Sequence, residues 1–340
     1  MRLLFAYPFF LGESALEQRW LTPYPPLGLL YLAAAARQAG HTVAVFDGTF
    51  QPGREAFALA CRDFDPEVVC LATLITLRPT TLRLAEMARA SGAAVIAGGA
   101  DASNDPEAYL RPGGLIRTAA VGEGEETLVE LLDALASGPA LEGVKGIAFA
   151  GSDGKVRRTS PRPPIAELDA LPPPARDLVD LPAYFRLWRE AHGYTSMALA
   201  ASRGCPFGCE HCANSAVSPH WRARRPEAVA AEMRMLQERY APDCFRLVDD
   251  LDGLGRDWLL ALGEAMMASG VTTPYEGLRL HVKLGDLPML DRRKELCAER
   301  NAWIPKAAQH PHAPPGLNES EMQMRWSEAR LPEGVALAEP

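Results

Sequence analysis

No apolar run in these 340 residues approaches the roughly 20 that a helix needs to cross a bilayer, so no membrane span is expected. Positive charge is in short supply: the formal net charge is −8, which argues against a general affinity for nucleic acid or anionic membranes. A disulfide framework is missing too. The seven cysteines are an odd number, and Cys61, Cys70, Cys244 and Cys297 are scattered through apolar patterns where a thiol packs as a small hydrophobe. A reducing, cytoplasmic setting fits that usage. No G-x-G-x-x-G follows the first apolar run, so a dinucleotide is not indicated. The N-terminus, Met1 to Phe10, has one early charge, an apolar run broken by Pro8 and no small-x-small cleavage site. It reads as a buried first strand rather than a secretion signal.

What is present is a regular alternation. Residues 2–7 read as a short buried strand, and Leu27–Arg37 as a helix that stops at Gly40. His41–Asp47 is a β-rich run, followed by a helix near 53–62, a strand at Val68–Ala72 and a helix near 79–91. The strand Ala93–Ala97 ends on Gly98-Gly99, and Ala119-Ala120-Val121 runs through Gly122-Glu123-Gly124-Glu125 into the helix Thr127–Ala136. Strands that are apolar without polar alternation belong to a parallel sheet covered on both faces, so the first part reads as a doubly wound, Rossmann-like α/β domain. In such a sheet ligands sit outside the carboxyl ends of the strands. Asp47-Gly48, Thr73-Leu74-Ile75-Thr76, Gly98-Gly99 and Gly122-Glu123-Gly124-Glu125 would line that rim, although each alone is also what a tight βα turn requires.

Residues 141–149 suggest one more strand, with a hairpin turn at Ser152-Asp153-Gly154-Lys155. The proline-dense run from Arg162 to Pro174 suits a linker. Tyr184–Glu190 reads as a short helix, and Met197–Ala201 as a strand. A long helix opening at Arg225-Pro226 and ending near Tyr240 follows, then a strand Cys244–Val248 ending on Asp249-Asp250, a helix at 257–269 and a third strand at Leu278–Val282. Beyond Asn301 the periodicity is weak and the composition suits a loose tail. These features divide the chain into an α/β domain over 1–140, a proline-rich linker region over 141–195, a second βα unit over 196–300 and an irregular tail over 301–340.

The densest signal lies between the two units. In Ser202-Arg203-Gly204-Cys205-Pro206-Phe207-Gly208-Cys209-Glu210-His211-Cys212, three cysteines are spaced C-x3-C-x2-C. Gly204 and Gly208 free the backbone and Pro206 stiffens the bend, so three thiolates can turn towards one centre. Three are one short of the usual four-cysteine iron–sulfur set, which leaves one metal position open to a small molecule. Zinc is the rival, with His211 or His220 as fourth ligand. But His211 adjoins Cys212, where both bonding one ion is strained, and only one C-x2-C unit is present. A redox pair of Cys209 and Cys212 leaves Cys205 unexplained.

This loop, following a strand that opens a βα repeat, resembles the radical S-adenosylmethionine (SAM) superfamily. In particular it resembles the subgroup with an N-terminal cobalamin-binding domain, which includes anaerobic ring cyclases and methyltransferases. Tyr24-Pro25-Pro26-Leu27-Gly28-Leu29, Gly40-His41-Thr42-Val43, Gly98-Gly99, Gly122–Leu128, Leu171–Asp177 and Phe245–Asp250 resemble that subgroup's segments in order and spacing. The resemblance implies a partial (β/α) radical SAM barrel after the α/β domain, and a 4Fe–4S cluster on Cys205, Cys209 and Cys212. It also implies that SAM binds at the open iron, with His211 and Asp249 towards it. Cobalamin would lie against Tyr24, Pro25, Leu27, Gly28, Asp47, Thr73, Leu74, Thr76, Gly98, Gly99, Gly122, Glu123, Gly124 and Glu125. No D-x-H-x-x-G segment supplies a histidine beneath the cobalt. The implied activity is reductive cleavage of SAM to a 5′-deoxyadenosyl radical, with methylation or ring formation at an unactivated carbon. A reductant such as flavodoxin or ferredoxin and a small-molecule substrate are the implied partners. The stretch beyond Cys212 is short for a full barrel, so the alternative is a truncated member that binds cobalamin and cluster without catalysing. Trp221-Arg222-Ala223-Arg224-Arg225 offers a clamp for an anion, or a solvated basic run ahead of a helix.

Overall fold

The computed structural model describes residues 1–276 apart from 111–113, 139–140, 152, 207–211, 213–217, 219 and 251–255. The expectations for Cys209, His211, the strand at Leu278–Val282 and the tail lie outside the described residues. So does Cys297.

Strand β1 (Arg2–Tyr7) places four consecutive apolar residues, Leu3 to Ala6, at no more than 2% exposure. Leu3 and Phe5 point to one face and Leu4 and Ala6 to the other, as the period of two requires. After the short helix α1 (Ala15–Trp20), α2 (Leu27–Gln38) leads to β2 (Thr42–Asp47), α3 (Glu55–Phe64) and β3 (Val68–Ala72). The chain continues through α4 (Arg78–Ala90), β4 (Ala94–Gly98), α5 (Ala100–Asn104), β5 (Thr118–Ala120) and α6 (Glu125–Ser137). Strands β6 (Ile147–Ala150) and β7 (Val156–Arg158) form an antiparallel hairpin turned by Gly151 to Lys155.

The seven strands make one sheet in the order β2-β1-β3-β4-β5-β6-β7, with β1 to β5 parallel. The sheet thus runs past residue 140, and the expected linker region begins inside it. Helices α3 and α4 cover one face through Phe57, Cys61, Leu84 and Ala88; α2 and α6 cover the other through Leu29, Ala33, Leu128 and Leu131. With β2 and β3 on opposite sides of β1, the winding reverses there. The carboxyl ends of β1 and β3 diverge into a crevice at that point.

Helix α7 (Leu181–His192) is longer than the sequence suggested. Asp180 caps it by accepting from Ala183 N (3.1 Å), and Gly193 ends it at φ +80°. Three further parallel strands, β8 (Ser196–Leu199), β11 (Cys244–Leu247) and β12 (Tyr275–Glu276), lie in the order β12-β11-β8. Helices α8 (Pro226–Tyr240) and α9 (Arg256–Ala268) connect them. Met233, Leu236, Phe245, Leu262 and Met266 form the core of this partial barrel. The described third strand precedes the segment where one was expected. Between β8 and α8, β9 (Ser202–Arg203) and β10 (Arg222–Ala223) pair antiparallel and form the stem of the cysteine loop. All described residues fall in one compact unit.

Candidate functional site

A cavity of about 510 Å³ opens at the carboxyl ends of β1, β3, β4 and β5, beside the first turns of α2. Its opposite wall comes from the second βα unit: Ala200, Ser202, Arg203, Val248 and Asp250. The lining is mostly apolar. Cys70 contributes a thiol that burial pushes up to about 12, so it lines the wall uncharged.

Leu27, Gly28, Thr73, Leu74, Gly98, Gly99, Gly122, Glu123, Gly124 and Glu125 all line this cavity. Tyr24, Pro25, Asp47 and Thr76 do not. The Tyr24 hydroxyl is 2.9 Å from Ser196 Oγ, and its ring packs on Trp188. Pro25 is half-buried just ahead of α2, and Thr76 is exposed in the turn after β3. The Asp47 carboxylate accepts from Thr49 N (3.1 Å), Thr49 Oγ1 (2.7 Å) and the Tyr184 hydroxyl (2.7 Å). Asp47 therefore joins the end of β2 to α7.

Close approach explains one of the glycines. A Cβ at Gly99, whose φ is +127°, would lie 2.6 Å from Thr73 O, so the ends of β3 and β4 can meet only if this residue is glycine. The Thr73 hydroxyl is held by the same junction: it donates to Gly98 O (3.0 Å) and accepts from Ala102 N (3.1 Å). At Gly28 a Cβ would meet no atom within 4 Å, which leaves the α2 wall recessed there.

The charged lining residues are already engaged. Glu123 accepts from both Arg222 Nη groups and, at 2.8 Å, from Ile165 N. Burial alone would raise the Glu123 carboxyl, but the Arg222 and Ile165 hydrogen bonds outweigh it and hold the carboxyl below its usual range. Glu125 accepts from Arg203 Nη2 at 2.6 Å, and the Arg203 guanidinium lies over the Tyr31 ring, 5.3 Å from its centroid. Burial acts to lower the Arg203 pKa, yet the Glu125 charge and hydrogen bond raise it overall. Behind this pair, Arg224 bridges Asp169 (3.1 Å) and Glu232 (2.5 Å), and Arg176 also reaches Glu232 (3.1 Å). Arg225 meets Asp169 at 3.2 Å. Within the basic run at 221–225, Arg222 and Arg224 are withdrawn from water onto carboxylates of this chain, whereas Arg225 touches Asp169 but stays largely exposed. Residue spacing carried no sign of these pairings, most of whose partners lie far apart in sequence.

The cysteine loop rises from the β9–β10 stem. Cys205 N donates to Ser218 O at 3.0 Å, and Gly204 stands at φ +86°. A Cβ at Gly204 would lie 2.2 Å from His220 O, so the two legs of the loop cross here in contact. Gly204 N is 3.3 Å from Asp250 Oδ2. Asp249, expected towards SAM, is 2% exposed and accepts from Ala201 N (2.8 Å) and Ser202 Oγ (2.8 Å). These bonds tie the end of β11 to the entry of the loop. Cys205 and Cys212 are both half-buried. Among the described residues no three ligating side chains converge.

Residues 20–132 match the B12 binding domain family. The chain is 33% identical over 246 residues to an uncharacterized methyltransferase of Pyrococcus horikoshii, covering 70% of this chain and 51% of that protein. It is 28% identical over 259 residues to the anaerobic magnesium-protoporphyrin IX monomethyl ester cyclase of Synechocystis, covering 74% and 50%. The chain therefore spans about half the length of the curated relatives it matches. Among solved structures, the radical S-adenosylmethionine methyltransferase TsrM from Kitasatospora setae, with cobalamin and a [4Fe-4S] cluster bound, superposes with a TM-score of 0.62 at 18% identity. That match covers 88% of this chain and 65% of TsrM, and it shows a shared fold.

Proposed function

We propose that this chain, whose residues 20–132 match the B12 binding domain family, is a radical SAM protein that takes part in C-methylation or ring formation at an unactivated carbon of a small molecule. The carrying observation is that one cavity has the rim of the first sheet as one wall and the stem of the cysteine loop as the other. Cobalamin would rest in this cavity against Leu27, Gly28, Leu74, Gly98, Gly99, Gly122 and Gly124. Cys205, Cys209 and Cys212 would hold a 4Fe–4S cluster whose open iron takes SAM. Together the bound cofactors supply an organic radical able to take hydrogen from carbon, and a transferable methyl group.

The chain's own residues contribute shape, dryness and position. Gly28 and Gly99 keep the floor and one side of the cavity free of side chains, while Phe5, Leu29, Ile96 and Leu128 exclude water. Asp249 and Asp250 hold the backbone that leads into the cluster cysteines. Glu123 and Glu125 are assigned here to the joint rather than to direct contact with cobalamin. The cobalamin-binding domain is assigned to the first sheet through Arg158, and the barrel part begins at β8. A flavodoxin- or ferredoxin-type donor and a reducing cytoplasm suit such a cluster, and the negative net charge does not favour a nucleic-acid substrate.

Anaerobic reconstitution with iron and sulfide tests this reading. The expected result is ~4 iron per chain, loss of that iron on changing Cys205, Cys209 and Cys212 to alanine, retention of hydroxocobalamin, and 5′-deoxyadenosine from SAM under reductant. Full iron loading in the triple variant, or no cobalamin uptake, would overturn it.

A further inference from the structure

The stem of the cysteine loop is bound to the first sheet by two ion pairs, one from each of its strands. Arg203 of β9 meets Glu125 at 2.6 Å, and Arg222 of β10 meets Glu123. Both carboxylates belong to one four-residue segment, Gly122 to Glu125, where the chain enters α6, and this segment is also cavity wall. The side chains are largely withdrawn from water: Glu125 is 6% exposed, Glu123 11%, Arg222 14% and Arg203 21%. Arg203 also lines the cavity itself, with its guanidinium over Tyr31 of α2, and stands two residues before Cys205. A single side chain thus touches the cavity, the α2 wall and the base of the cluster loop.

We propose that Arg203 is a positioning residue that links occupancy of the cavity to the geometry of the cysteine loop, with the Arg222–Glu123 pair fixing the second strand of the stem. This rests on the reading that the cavity holds cobalamin and the loop a cluster. A buried charge that loses its partner is costly, so neither rung lets go freely, and a displacement of the Gly122–Glu125 segment is carried to both legs of the stem. Linkage is reciprocal: if a filled cavity favours one geometry of the cysteine loop, a filled loop tightens the cavity by the same factor.

The test measures hydroxocobalamin affinity by absorbance titration of the full chain in two forms, cluster-loaded and a Cys205→Ala, Cys209→Ala, Cys212→Ala form without cluster. In the wild-type background the two dissociation constants should differ by about fivefold or more. With Arg203→Gln added to both forms, the ratio should fall to about 1, whatever happens to the absolute affinity. Glu125→Gln repeats the measurement from the other side of the pair, which guards against misfolding of one variant. The reduced-cluster EPR signal should change on cobalamin addition in wild type and stay fixed in Arg203→Gln. A residue acting only as interdomain glue would weaken both affinities and keep their ratio. A ratio of 1 in wild type, or a wild-type ratio retained in both variants, overturns the inference while leaving the proposed function standing. A wild-type chain that takes up no hydroxocobalamin overturns both.

Discussion

Gly204 offers a sharp test of how tightly the cysteine loop is built, read against two other glycines. Alanine at Gly12, which has neither positive φ nor a neighbour within 4 Å of its Cβ, should be neutral or stabilise by up to about 1 kcal/mol through the unfolded chain. Alanine at Gly92 meets no neighbour but must adopt φ +91°, which costs about 1–2 kcal/mol. Alanine at Gly204 bears that same strain at φ +86°, and its Cβ would also sit 2.2 Å from His220 O and 2.9 Å from Ser218 O. Both obstacles are backbone atoms, so no side chain can swing aside. Restoring an ordinary separation moves one leg of the loop by about 1 Å, which breaks the Cys205 N to Ser218 O hydrogen bond (3.0 Å) and adds about 1 kcal/mol. The total is about 2–3 kcal/mol, concentrated next to Cys205. Thermal unfolding of the three variants, with iron content after anaerobic reconstitution, measures both consequences. Gly12→Ala should match wild type, Gly92→Ala should melt a few degrees lower with full iron, and Gly204→Ala should melt lowest and lose iron. If Gly204→Ala holds full iron and melts no lower than Gly92→Ala, the crossing of the two loop legs is not as tight as described.

Gly28→Leu should separate binding from stability. A side chain entering the cavity should weaken hydroxocobalamin binding by roughly tenfold or more, about 1.4 kcal/mol, while a better helix former leaves the melting temperature unchanged or raised; unaltered affinity would place the ligand elsewhere. Asp47→Asn should lower stability by about 1–3 kcal/mol by unsettling the Thr49 and Tyr184 bonds, with cobalamin affinity unchanged, since Asp47 joins β2 to α7 and does not line the cavity. The Glu123 carboxyl has a lowered folded pKa, so its contribution to stability is complete above the ordinary glutamate value and is lost as pH falls through the folded one. Acid titration of wild type against Glu123→Gln should show the variant lacking that share of the loss below about pH 4; identical acid limbs would mean the Arg222 pair contributes nothing.

The elements legible in the sequence were those whose cause is local. Leu3 to Ala6 and Val68 to Ala72 are unbroken apolar runs because a parallel sheet buries both faces, and the loops that follow the strands carry glycine where backbones meet, as at Gly99. Helix α1 was not legible: none of its residues is buried, so it carries no apolar stripe to read. Helix α5 is five residues long, too short to show a period. The start of α7 was hidden because Asp180-Leu181-Pro182 resembles the preceding proline-rich run, although it is a capped first turn. The cavity rim was visible as four strand ends, but the β2 end was not part of it. In the 2-1-3-4-5 order β2 stands on the far side of the winding reversal, and sequence alone does not give strand order.

The glutamates of Gly122-Glu123-Gly124-Glu125 show why composition of a motif underdetermines its role. Read locally, two carboxylates at a strand end next to flexible glycines look like ligand contacts. Their nearest opposite charges are Arg203 and Arg222, far along the chain and equally open to a ligand reading when taken alone. Each half presents a charge that would be expensive to bury by itself, and only the folded pairing makes both burials tolerable. The same pairing puts the carboxylates at the cavity wall without leaving them free for an incoming group. On the Glu123 and Glu125 side, the cavity is bounded by paired charges, so these carboxylates are matched by Arg222 and Arg203. The open wall at Gly28 and the glycine-lined strand ends are then the uncharged part of the lining.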